Sequence, residues 1–125
     1  MPKSVLVAED EHNIAESLVF LMEKAGLDVR RAQDGGETLA LAERHTPDLV
    51  LLDLMLPGRD GFDVLQALRD IPGLSGVRIL ILTAKGRERD RLKAQELGID
   101  GYVTKPFSTR DVVQRVKSLL DVQEA

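Results

Sequence analysis

The feature that most constrains the fold is a run of four apolar residues at positions 49–52, which has no polar alternation and leads directly into Asp53. A strand with one face in water alternates apolar and polar side chains, so this run indicates a strand covered on both faces, as in the middle of a parallel sheet. Pro57-Gly58 then prevents regular continuation. Because open α/β sheets bind ligands at the carboxyl ends of their strands, Asp53 is the first candidate for a functional residue.

Other apolar segments alternate with segments whose apolar residues recur at helical spacing. The predicted strands cover residues 4–9, 27–32, 48–53, 77–83 and 101–104. Three polar residues, Asp34, Asp60 and Ser108, are predicted to cap helix starts. Gly26 and Gly98 are predicted to end the first and fourth helices. Five strands therefore alternate with five helices, which predicts parallel strands joined by right-handed crossovers.

The second predicted strand, 27–32, is more polar than the others, which suits an edge position. The predicted fold is therefore α/β and flavodoxin-like, a (βα)5 unit with a five-stranded parallel sheet of order 2-1-3-4-5 and helices on both faces. A single domain is predicted for residues 1–121, followed by a loose C-terminal tail at 122–125.

Composition excludes several classes of protein. The chain has no cysteine, and its first residues lack the apolar segment of a signal peptide, so a cytoplasmic location is predicted. No apolar run approaches the roughly 20 residues that span a bilayer, so no membrane partner is expected. The formal net charge of −4 and the 3% aromatic content argue against direct nucleic-acid binding.

Acids, a hydroxyl and a lysine are predicted at the carboxyl ends of four strands, and they are Glu9, Asp10, Asp53, Thr83 and Lys105. Taken singly, the acids are ordinary caps of turns or helices, and the lysine is a surface residue. Together they share one sheet edge, where three converging carboxylates repel one another unless a cation such as Mg²⁺ is present. A carboxylate beside a divalent cation, with a lysine and a hydroxyl, is what phosphoryl transfer to an aspartate requires.

The chain resembles the receiver domain of two-component response regulators, in the CheY-like superfamily, over essentially its full length. The segments that carry the resemblance are Glu9-Asp10, Asp53, Leu56-Pro57-Gly58, Asp60-Gly61, Thr83-Ala84 and Lys105-Pro106-Phe107. The Met-Leu-Pro-Gly turn and the Lys-Pro-Phe-Ser run are similar to the OmpR/PhoB subfamily. The resemblance implies a switch that takes a phosphoryl group from a sensor histidine kinase or a phosphotransfer protein. It implies catalysis only of the domain's own phosphorylation and dephosphorylation, so the protein is not expected to be an enzyme.

The resemblance also implies roles for individual residues. Asp53 would be the phosphoacceptor, and Lys105 would pair with the phosphoryl group. Mg²⁺ would be held by Asp53, Glu9, Asp10 and the backbone carbonyl of Met55. Family receivers commonly have two aspartates where this chain has Glu9-Asp10, so the longer Glu9 side chain would act through water. Lys105-Pro106 would be a cis peptide.

A second group of roles concerns switching. Thr83 and Tyr102 would form the switch that remodels the face of the fourth helix, fifth strand and fifth helix. Met55 and Lys85, each two residues beyond a site residue, would set the lifetime of the phosphorylated state, since they flank the path of the attacking water.

Phosphorylation is also expected to promote homodimerisation. Arg91 and Asp111 carry opposite charges at positions that pair across a two-fold dimer in the similar subfamily. Gly101 stands where an acidic residue is usual, which removes one expected pair. His12 and His45 lack the spacing of metal ligands and are expected on the surface.

Three other interpretations compete with a phosphoacceptor switch. An enzyme of the haloacid-dehalogenase type also uses a strand-end aspartate and Mg²⁺, but it needs a second aspartate two residues later, where this chain has Met55. A flavodoxin-like FMN binder needs a phosphate loop after the first strand, where Glu9-Asp10-Glu11 would repel a phosphate. A phosphorylation-independent docking module of the same fold stays open. So does the choice between a stand-alone regulator and a receiver from a longer chain.

Overall fold

The computed structural model describes residues 2–121, in which five strands alternate with five helices. The strands are β1 (Ser4–Ala8), β2 (Asp28–Ala32), β3 (Leu49–Leu52), β4 (Arg78–Thr83) and β5 (Gly101–Thr104). The helices are α1 (His12–Lys24), α2 (Gly35–Arg44), α3 (Gly61–Asp70), α4 (Glu88–Leu97) and α5 (Thr109–Leu120). The tail predicted at 122–125 lies outside the described residues.

The five strands form one parallel sheet in the order β2-β1-β3-β4-β5, which confirms both the predicted order and the edge position of β2. All four residues of β3 are buried, as its unbroken apolar run predicted. Val50 and Leu52 pack into a core with residues of α2, α3 and α4, whereas Leu49 and Leu51 pack into a second core with residues of α1 and α5. Helices therefore cover both faces of the sheet.

The three predicted capping residues all cap helices. The side chains of Asp34, Asp60 and Ser108 each accept a hydrogen bond from a backbone N–H in the first turn of a helix. Such a bond satisfies an N–H that the helix leaves unpaired at its start, and typically stabilises by about 1 kcal/mol. Gly26 and Gly98 follow α1 and α4 with positive φ, a backbone conformation that glycine adopts most easily.

Two central strands are one residue shorter at their carboxyl ends than predicted. β1 ends at Ala8, and β3 ends at Leu52. Glu9 and Asp53 still donate their backbone N–H groups to neighbouring strands, to the carbonyls of Ala32 and Ala8. The chain turns after each of them, so both carboxylates belong to loops at the carboxyl edge of the sheet.

α4 is the least buried of the five helices. Its only buried residue is Ala94, and Leu92 is 47% exposed. It packs mainly against α3. Within residues 2–121, no helix combines the length and the apolar surface that crossing a membrane would need.

Candidate functional site

The sheet brings five of the predicted site residues to one edge. Glu9 and Asp10 follow β1, Asp53 follows β3, Thr83 ends β4, and Lys105 follows β5. Since β1, β3 and β4 are neighbours, their carboxyl ends lie side by side. The juxtaposition predicted from the sequence is therefore present in the fold.

Lys105 is the cation at the centre of this cluster. Its Nζ lies 2.9 Å from Oδ2 of Asp53 and 2.9 Å from Oε1 of Glu9. A third carboxylate oxygen, Oε1 of Glu11, lies 3.6 Å away. Asp53 and Glu9 are almost fully buried, with exposures of 3% and 1%. One ammonium therefore bridges two buried carboxylates. The Lys105-Pro106 peptide is cis, as the resemblance implied.

Burial and pairing shift the pKa values of this cluster. Burial raises the pKa of Glu9 above its usual range, and the hydrogen bonds from Lys105 and from the Glu11 backbone only partly oppose that effect. Burial alone would lower the pKa of Lys105, but its hydrogen bonds to Asp53 and Glu9, with their charges, raise it well above the ordinary value. The ammonium therefore stays charged at neutral pH.

The acidic cluster suits a hard divalent cation. Carboxylate oxygens of Glu9, Asp10 and Asp53 all lie within 4.8 Å of one another, and the Asp10 side chain is exposed. In residues 2–121, the ion pairs give these three carboxylates one cation, Lys105, which contacts Glu9 and Asp53. Mg²⁺ prefers one or two carboxylates with several waters, and an exposed acid beside buried ones allows that arrangement. The donor set therefore fits Mg²⁺.

Backbone contacts in the loop after β3 hold the second oxygen of Asp53. Its Oδ1 accepts a hydrogen bond from the Met55 N–H at 2.8 Å, while the Met55 side chain is 54% exposed. At the start of α3, a Cβ on Gly61 would lie 2.1 Å from the Leu54 carbonyl oxygen. Only glycine allows this approach, so Gly61 fixes the path of the loop that carries Met55.

The backbone of Lys85 connects the two predicted switch residues. Thr83, which is fully buried, accepts a hydrogen bond from the Lys85 N–H at 3.3 Å through Oγ1. The Tyr102 hydroxyl donates a hydrogen bond to the Lys85 carbonyl. Burial raises the pKa of Tyr102, and the charge of Asp90 adds to this shift. The Tyr102 hydroxyl is therefore a neutral donor across the physiological range.

Sequence patterns gave no sign of a cation–π contact between Phe62 and two lysines. Lys93 Nζ lies 4.4 Å and Lys85 Nζ 5.5 Å from the centroid of the Phe62 ring, which is buried at the start of α3. Because no periodicity links a helix start to a distant loop, only the fold could reveal this contact. It joins the Lys85 side chain to α3 and α4.

The predicted dimer residues, Arg91 and Asp111, are not paired with each other within residues 2–121. Arg91 forms an ion pair with Glu88 in the same helix, and Asp111 lies in the first turn of α5. No ion pair joins Arg91 to Asp111 in the part of the chain that the structure describes. His12 and His45 are both exposed, as expected.

Comparisons with known proteins agree with this geometry. A family model described as "Response regulator receiver domain" matches residues 5–117. The chain is similar to a response regulator from Chloroflexus aurantiacus J-10-fl, with 35% identity, a TM-score of 0.87, and coverage of 97% of this chain and 99% of that one. A CheY-like receiver domain protein from Methanospirillum hungatei JF-1 has 27% identity and a TM-score of 0.90, with 97% and 95% covered. DrrB, an OmpR/PhoB homolog from Thermotoga maritima, has 26% identity and a TM-score of 0.85, with 97% and 54% covered.

Proposed function

The chain belongs to the response regulator receiver family of two-component systems, and we propose that its phosphoacceptor is Asp53. The observation that carries this proposal is the placement of Asp53 at the end of the central strand. There its carboxylate is buried, paired with Lys105 at 2.9 Å and grouped with two further carboxylates. The donor would be a phosphohistidine of a sensor kinase or a phosphotransfer protein, and the receiver would span residues 1–121.

In the proposed reaction, a carboxylate oxygen of Asp53 attacks the phosphorus, and the P–N bond of the phosphohistidine breaks. The electron pair of that bond leaves with the imidazole nitrogen. The Met55 N–H holds one Asp53 oxygen in place and so limits the rotation of the nucleophile. Lys105, which touches the other oxygen, is positioned to transfer its contact to a phosphoryl oxygen and to neutralise the added charge.

Magnesium binding is assigned to Glu9, Asp10, Asp53 and the backbone carbonyl of Met55. When bound, Mg²⁺ supplies positive charge that offsets the charge on the transferring phosphoryl oxygens. Glu9 already pairs with Lys105 and accepts from the Glu11 N–H through Oε2, so the proposal gives it a water-mediated role. Asp10 is the exposed member and would act as a direct ligand.

Switching is proposed to begin at Thr83. Its Oγ1 already accepts from Lys85 N–H, which leaves the hydroxyl proton for a phosphoryl oxygen. The Lys85 backbone also accepts the hydrogen bond from Tyr102, so a movement of Thr83 that shifts Lys85 would also displace Tyr102 in β5. α4 buries only Ala94, so its rearrangement costs little packing. The face of α4, β5 and α5 would then change its affinity for partners or for a second copy.

The direct test uses a small acyl-phosphate donor with Mg²⁺ and intact-mass measurement. Wild type is expected to gain one phosphoryl group, and Asp53→Asn is expected to gain none. Asp48→Asn is a matched control, because it removes the same charge at the opposite end of β3. This variant should be phosphorylated like wild type. Labelling of Asp53→Asn, or labelling of wild type without Mg²⁺, would contradict the proposal.

A further inference from the structure

Arg31, which has no role in the proposed reaction, reaches from the edge strand β2 to the loop that carries the acidic cluster. Its Nε and Nη2 atoms each donate to the Glu9 carbonyl at 3.3 Å, and Nη2 also donates to the Asp10 carbonyl at 3.4 Å. Its Nη1 lies 3.2 Å from Nδ1 of His12, whose other ring nitrogen lies 3.2 Å from Glu16. One guanidinium therefore contacts two residues of the loop after β1 and the first residue of α1.

β2 holds the backbone of residue 9 on both sides. The Glu9 N–H donates to the Ala32 carbonyl at 3.1 Å, while the Glu9 carbonyl accepts from Arg31. The side chain of Glu9 in turn accepts from the Glu11 N–H at 3.0 Å. Loss of the Arg31 contacts would release the Glu9 carbonyl and the turn that follows it.

The position of Asp10 depends on the Arg31 contacts more than the positions of Glu9 and Asp53 do. Its side chain is exposed, and across residues 2–121 no hydrogen bond or ion pair holds its carboxylate. The backbone is therefore what fixes the position of the Asp10 Cα–Cβ bond, and the Asp10 carbonyl is held by Arg31. Glu9 and Asp53, by contrast, are fixed by burial and by Lys105.

We propose that Arg31 is a positioning residue for divalent-cation binding, acting through the backbone of Glu9 and Asp10. The inference rests on the magnesium role proposed above. The planar guanidinium presents N–H donors on separate nitrogens in a fixed fork, which holds two carbonyls in one geometry, whereas the donors of a lysine share one freely rotating nitrogen. Partners of this kind, which orient metal ligands without touching the metal, typically change metal affinity about 10–100-fold.

The test compares Arg31→Lys, which keeps the charge, with Arg30→Lys as the matched control. Arg30 is the neighbouring residue of β2 and pairs with Asp28 at 3.1 Å instead of with the loop. Mg²⁺ affinity is measured by amide-shift titration. Amide hydrogen exchange at residues 9 and 11 is measured without metal. For Arg31→Lys we expect about tenfold weaker Mg²⁺ binding and faster exchange at both amides, with neither change in Arg30→Lys.

A purely electrostatic role gives a different result. If charge alone mattered, Arg31→Lys would bind Mg²⁺ like wild type and Arg31→Gln would bind it more tightly, because a positive charge beside the acids is lost. Unchanged affinity in Arg31→Lys, with wild type binding normally, would overturn the positioning role and leave the proposed function intact. Failure of wild type itself to bind Mg²⁺ would overturn both.

Discussion

Replacing Lys105 with methionine is expected to destabilise the metal-free protein while strengthening its binding of Mg²⁺. The ammonium is 2.9 Å from both Asp53 and Glu9. At an effective dielectric constant of about 20, each contact has a Coulomb energy of about 6 kcal/mol, much of which is offset by the cost of burying the ammonium. Breaking a buried pair by removing one partner typically costs about 3–5 kcal/mol.

Two features of the site place the expected loss of stability near the lower end of that range. Asp53 keeps its hydrogen bond from the Met55 N–H, and Glu9 keeps its bond from the Glu11 N–H. We therefore expect the free energy of unfolding at pH 7 to fall by about 3 kcal/mol. Mg²⁺ affinity should rise about tenfold, or ~1.4 kcal/mol, because the metal no longer competes with an ammonium for the carboxylate oxygens.

The destabilisation should depend on pH in a definite direction. The pKa of Glu9 is raised by burial above its unfolded value of 4.5, and removing Lys105 removes a contribution that lowers it. A raised folded-state pKa means that ionising Glu9 costs stability. That cost is absent below pH 4.5, grows as the pH rises above this value, and is complete once the pH has passed the folded-state pKa. The deficit of the variant should therefore shrink as the pH falls from 7 towards 4.5.

Urea unfolding measured with a chelator, and separately with excess Mg²⁺ and no chelator, measures both effects. Lys3→Met is the control, because Lys3 is exposed and precedes β1 at the opposite edge of the sheet. A loss below about 1 kcal/mol at pH 7, the range of exposed ion pairs, would refute the view that Lys105 compensates two buried charges. Mg²⁺ affinity no higher than that of wild type would refute competition between lysine and metal.

Three further outcomes follow from the proposed roles. Thr83→Ala should keep the fold but lose most of the amide-shift response to beryllofluoride, a phosphoryl mimic, and a full response would contradict the switch role. Met55→Asn with Lys85→Glu should hasten phosphoryl loss about tenfold, or ~1.4 kcal/mol of barrier, as measured by decay after donor removal; unchanged decay would contradict shielding by these side chains. Sedimentation of the beryllofluoride-bound form should show a dimer that Arg91→Glu weakens, whereas a monomer at high concentration would contradict the dimer face.

The fold was predictable because its signals are local. An unbroken apolar run identified β3, and the capping residues Asp34, Asp60 and Ser108 marked three helix starts correctly. The polar composition of β2 was enough to place it at the edge. Strand ends were less precise, since Glu9 and Asp53 keep ladder hydrogen bonds although the chain turns after them.

The sequence was enough to predict which residues gather at the sheet edge, but not which of their atoms are in contact. Parallel strands bring their carboxyl ends to one edge, so the grouping of Glu9, Asp53 and Lys105 followed from topology. Arg31 and Phe62 had no such signal. An arginine in a polar edge strand resembles any solvated residue, and its contacts with the loop depend on side-chain length and direction. The contact of Phe62 with Lys93 depends in the same way on how α3 packs against α4.

Locating the acyl phosphate in the chain shows whether Asp53 carries the phosphoryl group. After reaction with an acyl-phosphate donor and Mg²⁺, borohydride reduces an aspartyl phosphate to homoserine, and peptide sequencing identifies the modified position. We expect homoserine at position 53 in wild type and at no position in Asp53→Asn. Modification at Asp10, or unchanged aspartate at position 53 in protein that has gained a phosphoryl group, would contradict it.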